Sequence, residues 1–177
     1  MRTSPRWKHS TTLTYLLTFD CYGTRLPGDQ RGWVDRTRGD HRGGYREPSA
    51  ALESHARESM LHDPYLLDRG RAQLVLASMR EVCMFRDWEL IAAHVRATHV
   101  HCVVGGVTLP NRVIADFKAY ASRTLNRIEG NQKRWAREGS TRTLPTQEAI
   151  HAAVRYVAEG QGAAMAVYVW HRGAEGG

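Results

Sequence analysis

The residues best suited to chemistry in this sequence are His99 and His101, separated by Val100, and Tyr120 further along the chain. In an extended strand, residues two apart project from the same face, so the two imidazoles stand side by side while Val100 and Cys102 point the other way. Such a pair is a bidentate metal platform. Imidazole suits Mn, Zn, Fe and Ni, whereas Mg prefers oxygen, so a two-His site needs oxygen ligands from elsewhere to hold Mg well. Tyr120 falls on a helical pattern beside the apolar stripe, in a row with Asp116, Arg123, Thr124 and Arg127. Neighbouring cations favour phenolate over phenol, and a free phenol with a pKa of about 10 must be lowered, or deprotonated by a base, before it attacks at neutral pH.

These groups need a scaffold, and the apolar periods outline one. Leu13, Tyr15, Leu17 and Phe19 alternate along one face of a first strand. Residues 23–64 are rich in Gly, Arg, Asp and Pro, which predicts a long loop or insertion with a short helix near Ala50 to Leu61. Leu74, Val75, Met79, Val82 and Cys83 place a helix over Asp68 to Phe85, and WELIAAHV (88–95) and HVHCVVGG (99–106) form a hairpin through Arg96-Ala97-Thr98. Pro110 opens a second long helix whose core side is Val113, Ile114, Phe117, Ala121, Leu125 and Ile128, ended by Gly130. Thr146 caps a third, with Ile150, Val154 and Val157 as its stripe, and MAVYVW (165–170) is a last strand. The order predicts one α+β domain over residues 1–177, ferredoxin-like with a split βαβ arrangement. An antiparallel sheet carries helices on one face, and a helix-strand extension occupies about 145–170.

The whole chain narrows the partners. Its 177 residues suit one ordinary core, and a net charge of +7 favours a polyanion because each phosphate contact releases counterions from nucleic acid. Cys21, Cys83 and Cys102 are an odd number without a CxxC, which speaks against a disulfide framework or zinc ribbon and for a reducing cytosol. No apolar run approaches the ~20 residues needed to span a bilayer, so no membrane partner is expected. Lys118, Arg123 and Arg127 surround Tyr120, and Lys133, Arg134, Arg137 and Arg142 follow with Trp135 among them, a mixture suited to single-stranded nucleic acid.

The segments THVHCVVGG and FKAYASRTLN resemble the single-tyrosine HUH transposases, in particular the REP-associated tyrosine transposase group. TFDCYGTRLPGDQRGWV, REGSTRTL and YVAEGQGAAMAVY are similar to further segments of that group, in the same order. The resemblance implies that Tyr120 is a nucleophile forming a 5′-phosphotyrosine link, that His99 and His101 hold a divalent Mg or Mn ion, and that the substrate is single-stranded DNA beside a hairpin. It also implies a prokaryotic cytosolic, nucleoid-associated protein, and a monomer rather than a homodimer. Two departures stand out: Arg96-Ala97-Thr98 replaces the Met-Pro turn of relatives, and Thr124 occupies the position four after the tyrosine where a stronger polar ligand completes the metal shell. Asp116, Asn126 and Gln161 are the substitutes for that third ligand. His94, on the partner strand, is left outside the expected ligand set. The competing expectation is a hairpin-DNA-binding module of the same fold with weakened catalysis.

Overall fold

The computed structural model describes residues 13–34, 45–107, 109–160 and 163–170. The chain runs β1 (Leu13–Cys21), β2 (Trp33–Val34), β3 (Tyr45–Arg46), α1 (Ala50–Glu58), α2 (Arg69–Arg86), β4 (Glu89–Val95), β5 (His99–Val107), α3 (Pro110–Glu129), β6 (Trp135–Leu144), α4 (Gln147–Glu159) and β7 (Ala166–Val169). Five strands form one open sheet in the order β6-β1-β5-β4-β7 with antiparallel neighbours throughout, and β2 and β3 make a separate two-stranded ribbon. The fold is α+β. Within it, β1-α2-β4-β5-α3-β6 traces the split βαβ arrangement, with β1 and β5 as the inner strands.

Local chemistry sets the boundaries. Asp68 caps α2 by accepting the Arg71 N–H, and Asp87 ends it in the left-handed region at φ 54°. Pro110 supplies the pre-set backbone of the first turn of α3, and Gly130 closes that helix at φ 77°. Thr146 caps α4 through the Ala149 N–H.

The sheet has helices on both faces, a difference from the expected single covered face. Tyr15, Leu17, Phe19 and Cys21 of β1 and Val100, Cys102 and Val104 of β5 pack with α2 and α3. The alternate residues Leu16, Ile91, Ala92 and Val103 pack instead with Ile150, Ala153 and Val157 of α4. The extension thus closes over the other side of the sheet, and any residue on β5 is committed to one helix layer or the other by its parity.

The strand completing the split βαβ sheet is β6, in a segment whose sequence reads as a basic tract, while MAVYVW supplies an additional edge strand, β7. Between its buried ends Trp135 and Leu144, β6 is polar and mostly exposed, so it shows no apolar alternation. It approaches β1 closely at Gly139, opposite Phe19, where a Cβ would lie 2.9 Å from both the Thr18 carbonyl oxygen and Ile114 Cδ1.

Candidate metal and nucleophile site

His99 and His101 occupy β5 at the centre of the sheet, opposite Asp20 and Thr18 of β1 respectively, and His94 of β4 stands opposite His101. The rings of His99 and His101 have centroids 4.7 Å apart. Two imidazoles bound at ~2.1 Å to one ion, at a ligand angle between octahedral and tetrahedral, have centroids about 4.6–5.3 Å apart, so the pair fits a shared ion. Each ring is anchored through Nδ1, His101 by Thr18 Oγ1 at 2.7 Å and His99 by Thr98 Oγ1 at 2.8 Å. With Nδ1–H donated to a hydroxyl oxygen, Nε2 is the unprotonated nitrogen of each ring, the one suited to a metal. Thr24 in turn donates its hydroxyl hydrogen towards the carbonyls of Cys21 and Thr98, tying the loop after β1 to the turn that carries Thr98.

The face on which these rings stand decides which tyrosine they meet. Val100 and Cys102 point into the layer of α2 and α3, so His99 and His101 point into the layer of α4. Tyr156 of α4 lies edge-on to His101 with ring centroids 5.5 Å apart and is 47% exposed, open enough to meet a substrate. Tyr120 of α3 packs against the opposite cluster, where the Arg123 guanidinium covers its ring at 4.2 Å. Within one chain, then, the sheet separates Tyr120 from the histidines and brings Tyr156 to them.

The fold is similar to that of two transposase structures. One is a REP-associated tyrosine transposase bound to a REP hairpin, with a TM-score of 0.48 and 14% identity, covering 89% of this chain and 70% of that one. The other is a candidate transposase from Deinococcus radiodurans R1, with a TM-score of 0.44 and 13% identity, covering 93% of this chain and 100% of that one. The sequence matches no protein-family model and no curated protein. At such identities no individual residue's role transfers, and each role has to come from this chain's own sequence and geometry.

Two of the expected third ligands, Asp116 and Asn126, lie elsewhere. Asp116 pairs with Arg86 of α2 at 3.1 Å and Arg112 at 3.6 Å, in the layer away from the histidines. Asn126 accepts from Arg134, in the cluster at the end of α3. Thr124, like both of these, belongs to α3. Gln161 lies outside the described residues. Among the described residues no group of three His, Cys, Asp or Glu side chains is placed to hold an ion, so Asp20 does not complete a shell with the two histidines as they stand. The cysteines contribute no nucleophile: all three are buried, and burial pushes the Cys21 and Cys83 thiols up to about 12.

The expected DNA-contacting cations do not form one surface. Arg142, opposite Leu16 on β6, shares the face of the histidines. Arg123 and Arg127 are exposed on α3, behind the sheet, and Arg137 is almost wholly exposed, with a loose 3.6 Å pair to Glu138. Lys133 reaches over the Tyr22 ring at 5.8 Å, beside an open groove lined by Arg57, His62 and Tyr65. Lys118 serves the fold instead, since its ammonium donates to the Ala136, Arg137 and Glu138 carbonyls at 2.9, 3.2 and 3.1 Å and so holds the start of β6 to α3. Lys118→Met is therefore expected to lower stability by about 1–2 kcal/mol, read by urea unfolding, without changing hairpin-DNA affinity in fluorescence anisotropy at low temperature. Arg25 and Arg96, outside the cations named around Tyr120 and Trp135, are those whose charge His101 feels.

Burial, then the charges of His99, His94, Arg96 and Arg25, holds His101 down at about 4, against an ordinary value of 6.5. The folded chain therefore stays deprotonated at this ring over a range in which the unfolded chain takes up a proton. Its contribution to stability is whole above pH 6.5 and is lost as the pH falls towards 4. Burial lowers His94 in the same direction. For metal-free protein the His101 share of the loss is roughly 3 kcal/mol. Urea unfolding at neutral and acidic pH should show His101→Gln losing less stability on acidification than the native chain.

Proposed function

We propose that the His99–His101 face is the centre of a metal-dependent enzyme that nicks and rejoins single-stranded DNA beside a hairpin, with Tyr156 as the nucleophile. The observation that carries this reading is the meeting of an exposed tyrosine ring with an anchored imidazole pair on one face of the sheet. The net charge of +7 and the sequence resemblance to the REP-associated group support the choice of DNA. The nucleophile thereby moves from the expected Tyr120 to Tyr156, which belongs to YVAEGQGAAMAVY, itself one of the segments that resemble that group.

In the proposed reaction Tyr156 Oη attacks a phosphorus atom of the strand. The bond from phosphorus to the 3′ oxygen breaks, a 5′-phosphotyrosine link forms, the released 3′-hydroxyl takes up a proton, and the phenol loses one. Attack of a 3′-hydroxyl on that link reverses the step and rejoins the strand, so no nucleotide triphosphate is consumed. A divalent Mn or Mg ion held by His99 and His101 would supply charge stabilisation at the phosphate oxygens. Two imidazoles alone leave most of the shell to water, substrate oxygens or a side chain outside the described residues, and this donor set favours Mn over Mg. Arg25, Arg96 and Arg142 are the cations suited to the approaching backbone.

A labelled hairpin oligonucleotide with a single-stranded flank, incubated with the protein and Mn²⁺, should give a band of reduced mobility on a denaturing gel. Chelation, or His99→Ala with His101→Ala, should remove it. Cleavage without that band would replace the covalent step by hydrolysis. Because Thr124 stands where a stronger ligand is expected, and no third His, Cys, Asp or Glu side chain is placed with the pair among the described residues, the second reading is a hairpin-binding module of the same fold with weakened or lost catalysis. Hairpin binding indifferent to Mn²⁺, with no adduct, would select it.

A further inference from the structure

His94 is fully buried, and it stands opposite His101 in the sheet. Its two nitrogens are bonded to opposite ends of one segment: Nδ1 lies 3.2 Å from the Val157 carbonyl oxygen, and Nε2 accepts the Met165 N–H at 3.3 Å. A carbonyl can only accept and an amide N–H can only donate, so the ring must be neutral with its proton on Nδ1. Val157 directly follows Tyr156, and Met165 directly precedes β7. One imidazole therefore joins the last turn of α4 to the start of the edge strand.

We infer that His94 is a positioning residue, a clamp that fixes Tyr156 and the end of α4 over the histidine pair. Three features make the clamp specific to that placement. Val157 is itself buried against the sheet, so the carbonyl held by His94 belongs to the residue that seats the helix end. The helix ends at Gly160, three residues beyond Val157, so the carbonyl held by His94 lies in its last turn. Among the described residues β7 pairs only with β4, the strand that carries His94, so one strand directs both the return of the chain and the helix end. Without the imidazole, the Val157 carbonyl and Met165 N–H lose a shared partner, and Tyr156 gains freedom relative to His101. Orientation of a nucleophile to within tenths of an ångström contributes heavily to rate, so the loss falls on the chemical step more than on binding.

The inference rests on the reading of Tyr156 as nucleophile, and its test has an arm that does not. In His94→Ala, hydrogen exchange at the Met165 amide should quicken about tenfold or more, with amides at the centre of α4 unchanged. In the same variant, single-turnover adduct formation with the hairpin substrate and Mn²⁺ should slow roughly ten- to a hundredfold. Hairpin affinity and Mn²⁺ affinity should stay within about twofold. His94→Asn, which retains a donor for the Val157 carbonyl, should recover part of the rate. All rates are taken at a temperature where each variant is folded by circular dichroism. An adduct rate in folded His94→Ala within twofold of native, or Met165 exchange unchanged, would overturn the clamp. If exchange quickens but native protein forms no adduct, the proposed reaction fails and the clamp remains as a positioning device.

Discussion

Tyr156→Phe is expected to abolish the covalent protein–DNA adduct, a loss of roughly a thousandfold or more, while Tyr120→Phe keeps adduct formation within a few-fold of native. The asymmetry follows from strand parity. Val100 and Cys102 share a cluster with α3, His99 and His101 project from the other side of β5, and Tyr156 meets His101 there at a 5.5 Å ring separation. For Tyr120 to act within one chain, either its helix or the histidines would have to cross the sheet. The Tyr120 ring is moreover engaged, with Arg123 over its face at 4.2 Å. The phenylalanine variants change one oxygen each and keep both ring packings, so a stability loss cannot imitate the expected contrast. Denaturing gel mobility of a labelled hairpin substrate reads both variants in one experiment. Loss of the adduct in Tyr120→Phe with its retention in Tyr156→Phe would mean that the tyrosine of another subunit reaches the site.

The second large effect lies away from the chemistry. Arg134→Met should destabilise the fold by about 3–5 kcal/mol, because it strips a buried ionic cluster of its central cation, takes their donor from the Asn126 side chain and the Gly130 carbonyl, and leaves Glu129 with Arg71 as its cation. Arg134 is 1% exposed. Its guanidinium donates to Glu129 at 3.0 Å, to the Asn126 side chain at 2.5 Å and to the Gly130 carbonyl at 2.6 Å. Glu129 also accepts the Tyr65 hydroxyl and pairs with Arg71 at 2.8 Å. The cluster ties α3, the approach to α2 and the start of β6 into one joint. For a domain of this size the expected loss corresponds to about 6–20 °C in thermal midpoint. A midpoint within a few degrees of native would show that the cluster contributes little, and calorimetry of the two proteins decides the matter.

Much of the scaffold was legible because it is written in apolar periods. The alternation of Leu13 to Phe19, the stripe of α2, the hairpin about Arg96-Ala97-Thr98 and the capping of α4 by Thr146 all reappear in the structure within a residue or two. β6 was not legible. An edge strand with one neighbour and a solvated face needs few apolar residues, so WAREGSTRTL reads as a basic tract although it completes the sheet. The same blindness made Arg134 look like a DNA contact, when the chain turns back after Gly130 and buries its guanidinium against Asn126, Glu129 and Gly130 at the end of α3.

The candidate site was half legible for a related reason. His-x-His in a strand announces a shared face from spacing alone, but not which helix layer that face meets. Tyr120 sits on the longer helix and has cations beside it, so it draws attention; Tyr156 has one arginine neighbour and sits in an extension whose side of the sheet no local pattern specifies. The parity of Val103 with Ile150 and Val157, a long-range packing fact, decides between them. The threonine anchors of the imidazoles and the double bond of His94 are likewise set by register and closure of the chain, which a linear reading does not contain.

The most direct trial of the proposed chemistry is to trap the adduct on the native protein with Mn²⁺ and an oligonucleotide carrying a hairpin and single-stranded flank, digest it, and sequence the nucleotide-bearing peptide by mass spectrometry. The modified residue should be Tyr156, attached through its phenolic oxygen to a 5′ phosphate. Attachment at Tyr120, or cleaved DNA with no modified tyrosine, would contradict it.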